Sequence, residues 1–395
     1  MTELLLIGAG VMGAPYIDAA HRLGVRVRLV ETPANLATLS ARVERTVPCP
    51  GTREEDWVAA AAQAAVEDKP LGVLAFTEWN VLAAAFVQDE LGLPGPSLHA
   101  AVLSRDKALQ RSRLGARGVP QPEFLVTDSP ATAVEWVAPR LPVVLKPPSG
   151  AGSAGVEYIA DLDAFRAAAD RRATEGRILI ERAVSGPEYS WEGLVRNGEI
   201  VFGTMTEKET TGPPGFVEVA HRAGHVFPPP VDRQVAAFVR LVLAAMRVGT
   251  CLVHLEFRVS PSGPVLMEVA VRTPGDYIMD AVSLTYGIDL YEAVVRLALG
   301  LEVPPIDPQP VAYAACWWLL APPGPVVEVS GLDEVRDHPA VVRADVTFRP
   351  GDVVPPLRSS AERAGYVLLT APDPSAREAA IADTRGRLRI VTDAR

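Results

Sequence analysis

Leu4-Leu5-Leu6-Ile7 is a short apolar run that ends directly in Gly8-Ala9-Gly10-Val11-Met12-Gly13, after which Tyr16, Ala19, Ala20 and Leu23 recur with helical spacing. A strand, a tight glycine turn and a helix follow from that order. A second strand, Val25 to Val30, ends at Glu31. A third covers Gly72 to Phe76, and Ala83 to Leu91 is helical before the turn-forming Gly92-Leu93-Pro94-Gly95-Pro96. Strands that alternate with helices predict a parallel sheet covered on both faces, an open α/β unit closing near residue 100.

The pattern changes from Ser104 onward. Asp106 to Gly118 is a basic helix with a glycine stop, and Pro142 to Lys146 is an apolar strand running into Pro147-Pro148-Ser149-Gly150-Ala151-Gly152-Ser153-Ala154-Gly155. Ile178 to Glu181 is another strand. Glu188 to Val195 and Glu199 to Thr206 flank Asn197-Gly198, the strongest short-range hairpin signal. Gln234 to Val248 keeps Val235, Phe238, Val239, Val242 and Met246 on one helical face, which reads as core. Leu252 to Arg258 and Pro264 to Arg272 are strands around Ser260-Pro261-Ser262-Gly263, and Leu290 to Leu299 is a helix ending at Gly300. Val303 to Pro310 reads as a linker, and residues from about 311 as a β-rich tail. Mixed α/β and α+β architecture is therefore expected, antiparallel in the middle, with divisions at 1–103, 104–302 and 303–395.

Composition narrows the ligand class. At 395 residues with a net charge of −10 and no block of Lys and Arg, the chain lacks the footprint of a nucleic-acid or anionic-membrane partner. No segment approaches the ~18 uninterrupted apolar residues of a membrane helix, and the start lacks a signal peptide's basic stretch and cleavage site. A cytoplasmic protein acting on small molecules is the expectation. Cys49, Cys251 and Cys316 lie too far apart for a metal knuckle and read as reduced and structural.

Three sets of residues could carry chemistry. Gly8-x-Gly10-x-x-Gly13 with Glu31 after the next strand fits the dinucleotide fingerprint, so an NAD(P)-dependent oxidoreductase is one reading. Lys146 with the glycine-rich stretch 149–155 is a second set: a fixed positive charge beside a loop whose N–H groups can turn inward around phosphate oxygens. Thirdly, alternation places His254, Glu256 and Arg258 on one strand face and Glu268, Ala270 and Arg272 on the facing one. Across a short antiparallel turn Glu256 and Glu268 can meet, giving hard oxygen ligands suited to Mg²⁺ (or Mn²⁺) against nucleotide phosphates.

In this order, Asp106-Lys107, Leu145-Lys146-Pro147 with its glycine loop, Glu181 to Glu188, Leu255-Glu256-Phe257, and Met267-Glu268 with Arg272 resemble the ATP-grasp ligases over residues 1 to 300. Arg349-Pro350-Gly351-Asp352 and Arg363-Ala364-Gly365-Tyr366 in the tail resemble the carboxy-terminal domain of the L-amino-acid ligase and carnosine-synthase-type branch. The resemblance implies an ATP-grasp fold whose lid covers about 143–208. It implies that Lys107 and Lys146 hold the α- and β-phosphates while Ser149, Gly150, Gly152, Ser153 and Gly155 close over the triphosphate. Glu181, Arg182, Ala183 and Val184 would read the adenine edge, Glu188 the ribose, and Glu256 and Glu268 would bind magnesium. Arg272 would stabilise the transferring phosphoryl group, Lys208 would reach the γ-phosphate from the lid, and His225 (or His221) would lie near the activated carboxylate. Glu78, Asp276 and the backbone at Gly275 would meet substrate. Ala270 stands where the family usually has asparagine, a further magnesium ligand, and water or His254 could replace it.

The implied reaction joins a carboxylate to an amine, with amino acids expected for both, through an acyl phosphate with release of ADP and phosphate. Two other readings stay open on sequence: the oxidoreductase, and an ATP-binding protein without ligase activity. The assembly, monomer or homodimer, is left open as well.

Overall fold

The computed structural model describes residues 3–393. Four parallel strands open the chain, ordered Arg45–Pro48, Arg26–Glu31, Glu3–Ile7 and Gly72–Leu74. Alternate residues of Glu3–Ile7 face opposite cores. Leu4 and Leu6 pack with Ile17, Ala20 and the later helix Leu290–Ala298, whereas Leu5 and Ile7 pack with Trp57, Ala61 and Ala64. The expected parallel sheet is thus present, with two elements that the periodicity did not show. Arg45–Pro48 is a half-exposed edge strand without an apolar face, and Glu54–Glu67 is an alanine-rich helix whose small side chains give little contrast between faces.

The centre is an eight-stranded antiparallel sheet in the order Gly263–Ala270, Cys251–Ser260, Glu188–Arg196, Glu199–Thr210, Glu218–Ala223, Tyr313–Leu319, Gly365–Ala371, Val341–Val346. Asn197 and Gly198 both take positive φ (52° and 83°), as a two-residue hairpin with the right strand twist requires. Residues 303–310 form no regular element. The β-rich tail does not build a separate main sheet: three of its strands prolong the central one, with the helix Pro374–Arg387 packed behind.

A smaller antiparallel sheet, Phe124–Thr127, Ile178–Arg182, Val143–Lys146 and Glu157–Ile159, stands over one face of the central sheet. Its last two strands are joined by residues 147–156, the glycine-rich stretch. The helix Lys107–Gly115, capped by Asp106, runs beside it.

Candidate active site

Register on the central sheet brings charged residues into rows. Glu256 lies opposite Glu268 on one side and Ser190 on the other; His254 lies opposite Ala270 and Glu192; Arg258 lies opposite Glu188, which in turn faces Lys208. All these side chains point to the face under the small sheet. Between the two sheets is a cleft of about 400 Å³ whose walls include Lys107, Lys146, the loop 149–154, Glu181 to Ser185, Glu188, His254, Glu256, Glu268 and Arg272. A bulge after Glu256 pairs Phe257 with Leu266, so Met267 is the extra residue and joins Glu268 on the cleft wall.

Each cation in the cleft already holds a carboxylate. Lys107 Nζ lies 3.0 Å from Glu268 and donates to the Gly150 carbonyl at 2.7 Å. Lys146 Nζ is 2.8 Å from Glu181, whose other oxygen accepts from Arg111 at 2.6 Å. Burial disfavours the ionised Glu181, but Arg111 and Lys146 outweigh it and hold its carboxyl below the usual range. Burial conversely lowers the Lys146 ammonium despite Glu181 beside it. Arg111 was missed in the sequence, although it follows Lys107 by four residues on the same helix face.

The loop itself is held by its carbonyls. Those of Pro148, Gly150, Gly152 and Gly155 accept from the Lys107 N–H, the Lys107 ammonium, the Ser360 N–H and Arg172. Among the described residues the N–H groups of Ser149 to Ser153 have no protein acceptor. Gly150, Gly152 and Ser153 take positive φ, which turns successive N–H groups to one side. This is the donor set of an anion site. Gly155, by contrast, lies off the cleft wall against Arg172.

Of residues 181–184, Arg182 and Ala183 donate their N–H groups to the Glu123 and Pro142 carbonyls, which leaves the Val184 N–H free beside the cleft. Glu188 is positioned by Arg258 (2.8 Å) and Lys208 (3.1 Å). Glu256 and Glu268 offer two facing carboxylates, and among the described residues no cluster of three or more acidic, His or Cys groups makes an all-protein metal cage. A carboxylate pair fits Mg²⁺, a hard cation that binds proteins through one or two carboxylates; Glu256 and Glu268 would hold it. His254 is not free to stand in for the missing asparagine. Its Nδ1 is 2.9 Å from Glu192 and its Nε2 3.1 Å from Glu256, so both ring nitrogens already have partners; burial opposes the charge, but these carboxylates raise its pKa to about 9.

Four expected site residues lie off the cleft wall, and a fifth, Lys208, sits directly behind its glutamates. Lys208 is not at a lid tip: its buried ammonium sits on the sheet between Glu256 (2.5 Å), Glu188 (3.1 Å) and Glu218 (3.5 Å), because β alternation points it inward. Burial opposes its charge, and the three glutamates overcome that and raise its pKa well above the ordinary value. His225 packs with Tyr189 and Phe227, 3.7 Å from Glu207, off the cleft. The other histidine of that stretch, His221, pairs in register with Lys208 and faces Asp276 at 3.4 Å. Glu78 is buried behind Arg272 (2.6 Å) and Arg105 (2.8 Å), where it orients Arg272. Gly275 and Asp276 lie beyond Arg272, and Asp276 is bound to Arg363 of the tail, a partner with no local sequence signal.

The amino-terminal glycine turn has the opposite electrostatics. The buried Glu31 carboxylate accepts from the N–H groups of Ala9 (2.6 Å), Gly10 (2.9 Å) and Thr32 (2.7 Å). Two of the turn's donors, the N–H groups of Ala9 and Gly10, are thus held by an internal anion. The oxidoreductase reading finds a carboxylate where a pyrophosphate would have to sit.

Family models match the chain in three places: an ATP-grasp N-terminal domain over 17–95, an ATP-grasp domain over 139–280 and an L-amino acid ligase C-terminal domain 2 over 317–393. L-arginine-specific L-amino acid ligase of Bacillus subtilis is 23% identical over 309 residues, 73% of this chain and 72% of that protein. Carnosine synthase 1 of Gallus gallus is 29% identical over 340 residues, 78% of this chain but only 36% of that longer protein. The crystal structure of L-amino acid ligase from Bacillus licheniformis superposes with a TM-score of 0.83 at 23% identity, covering 100% of this chain and 99% of that one, which establishes the ATP-grasp fold. No helix among the described residues is long and apolar enough to cross a membrane.

Proposed function

Because the chain belongs to the ATP-grasp ligases, with an L-amino acid ligase carboxy-terminal domain, we propose that it joins an amino-acid carboxylate to the amine of a second amino acid. ATP is converted to ADP and phosphate in the same cycle. The observation that carries this reading is the loop 149–153, with five unpaired N–H groups facing a cleft that also holds Lys146 and the Glu256–Glu268 pair.

In this proposal the loop amides, Lys107 and Lys146 hold the phosphates, the Val184 N–H meets the adenine edge and Glu188 accepts from ribose hydroxyls. Glu256 and Glu268 hold Mg²⁺, which when bound neutralises phosphate charge. A substrate carboxylate oxygen attacks the γ-phosphorus, ADP leaves, and the amine then attacks the acyl carbon and expels phosphate. Arg272, fixed by Glu78, stabilises negative charge where the phosphoryl group is transferred. The lid sheet keeps water from hydrolysing the acyl phosphate. We place the working units at 1–103, 104–302 and 303–395, and the setting in the cytoplasm.

ADP release from ATP with Mg²⁺, measured across the twenty amino acids singly and in pairs with mass spectrometry of products, tests the reading. The expected result is release that needs a pair and a product mass equal to both partners minus water. ATP binding without turnover for any acid and amine offered would favour a non-catalytic nucleotide-binding protein.

A further inference from the structure

One short segment of the carboxy-terminal part reaches both the phosphate loop and the turn beyond Arg272. Ser359 to Glu362 closes on itself: the Glu362 carboxylate accepts from the Ser359 N–H and hydroxyl, both at 2.7 Å, and Arg363 Nε donates to the Ser360 carbonyl at 2.8 Å. A segment tied this way moves as a unit. One end of it meets the phosphate loop, where the Ser360 N–H donates to the Gly152 carbonyl at 3.1 Å. The Ser360 hydroxyl also donates to Glu218 at 2.7 Å, and Glu218 lines the cleft.

The other end meets the turn beyond Arg272. Arg363 binds Asp276 with both terminal nitrogens, at 2.9 and 2.5 Å, and lies 4.1 Å over the Trp318 ring. Asp276 and Tyr277 are consecutive non-glycine residues with positive φ, 58° and 56°, a sparsely populated conformation that persists only where surrounding contacts hold it. The tail supplies two of those contacts, Arg363 on Asp276 and Tyr366 stacked on Tyr277 with ring centres 4.2 Å apart, beside His221 of the central sheet at 3.4 Å from Asp276. Burial opposes ionisation of Asp276, but His221 and Arg363 keep it charged.

From these contacts we propose that Arg363 and Ser360 are positioning residues: they tie the conformation of the 275–277 turn, just beyond Arg272, to the placement of the phosphate loop over the nucleotide. The two ends take their meaning from the ligase reading, and the coupling itself is a property of this chain's own contacts. Disturbing Asp276, which touches neither the loop nor the nucleotide cleft, loosens the loop through Arg363 and Ser360.

The test uses the full chain with saturating ADP and Mg²⁺ and reads hydrogen exchange of the 149–155 amides. Protection of these amides by ADP in the wild type checks the nucleotide site; its absence would sink the ligase reading and not the coupling alone. Ser360→Pro removes both the N–H and the hydroxyl. Ser360 is the first residue of a short helical turn and Ser359 is extended (φ −156°, ψ 176°), so proline suits the local backbone, and its ring carbon, in place of the N–H, also forces the Gly152 carbonyl away. Loss of these bonds should reduce loop protection by roughly tenfold, with Ser360→Ala nearer roughly fivefold. Asp276→Asn should lower protection roughly fivefold as well, with Arg363→Lys intermediate between it and wild type. Exchange in the Glu3–Ile7 sheet should stay unchanged, which separates a loop effect from unfolding. Wild-type loop protection in Asp276→Asn would overturn the coupling even if Ser360→Pro loosens the loop, since the latch would then be local.

Discussion

Two glycine turns in this chain carry nearly the same sequence signal and have opposite chemistry. Gly8 to Gly13 follows a strand, opens a helix and precedes an acidic residue, yet the N–H groups of Ala9 and Gly10 are taken up by Glu31 at 2.6 and 2.9 Å. Ser149 to Gly155 also follows a strand, and its carbonyls are the groups consumed, by Lys107, Ser360 and Arg172, while the N–H groups of 149–153 stay open. Glycine spacing says that a backbone can come close to something. What fills the N–H groups decides whether that something is a ligand.

The largest effect expected from this contrast lies in the cleft. Lys146→Ala and Glu268→Gln should each cut ATP-dependent turnover by about 10³-fold or more, as removal of a charge-stabilising group does, while thermal melts stay cooperative. Near-wild-type turnover in Glu268→Gln would remove the metal assignment. In the first turn the damage should go to folding instead. A Cβ on Gly13 would lie 2.8 Å from the Ala9 Cα and 3.0 Å from its carbonyl oxygen, so Gly13→Ala should cost about 1–3 kcal/mol in denaturant titrations and leave ADP affinity unchanged.

Glu31→Gln should be comparable or smaller, about 1–3 kcal/mol, since hydrogen bonds to a charged acceptor are lost. Its pH dependence has a definite sign. Burial opposes the charge, but the N–H groups of Gly10, Ala9 and Thr32 outweigh it and hold the folded carboxyl below the ordinary range. Its contribution is therefore present above the ordinary carboxylate pKa and lost as pH falls through the folded value. The difference in stability between wild type and Glu31→Gln should shrink on acidification below about pH 4. A difference that grows instead would show that the carboxylate is not the anchor of the turn.

Legibility in the sequence follows the range of the interaction. The Asn197-Gly198 turn set the hairpin and alternation showed which strand residues share a face, but Glu268 comes opposite Glu256 only through the bulge at Met267, which alternation does not encode; unbroken register from the 260–263 turn would pair Glu256 with Met267. Glu192 was within reach of the same logic, two residues from Ser190 and four from Glu188 on one strand face. Lys208 reaches the cleft glutamates from the central sheet instead of from a lid tip, because its strand continues past Thr206 to Thr210 and buries it, an extension that the 199–206 pattern does not show. His225 and His221 differ by four residues and by their surroundings, which a strand and its neighbours across the sheet determine. Arg363 meets Asp276 across 87 residues, and no local period encodes that.

Calorimetric titration of ADP with Mg²⁺, and separately of NADH, into wild type, Lys146→Ala and Glu31→Gln tests the central claim most directly. The account predicts that ADP binds wild type and Glu31→Gln alike, that Lys146→Ala loses most of that affinity, and that NADH binds none of the three. NADH binding to wild type, with ADP affinity unmoved by Lys146→Ala, would contradict it and return the nucleotide to the first glycine turn.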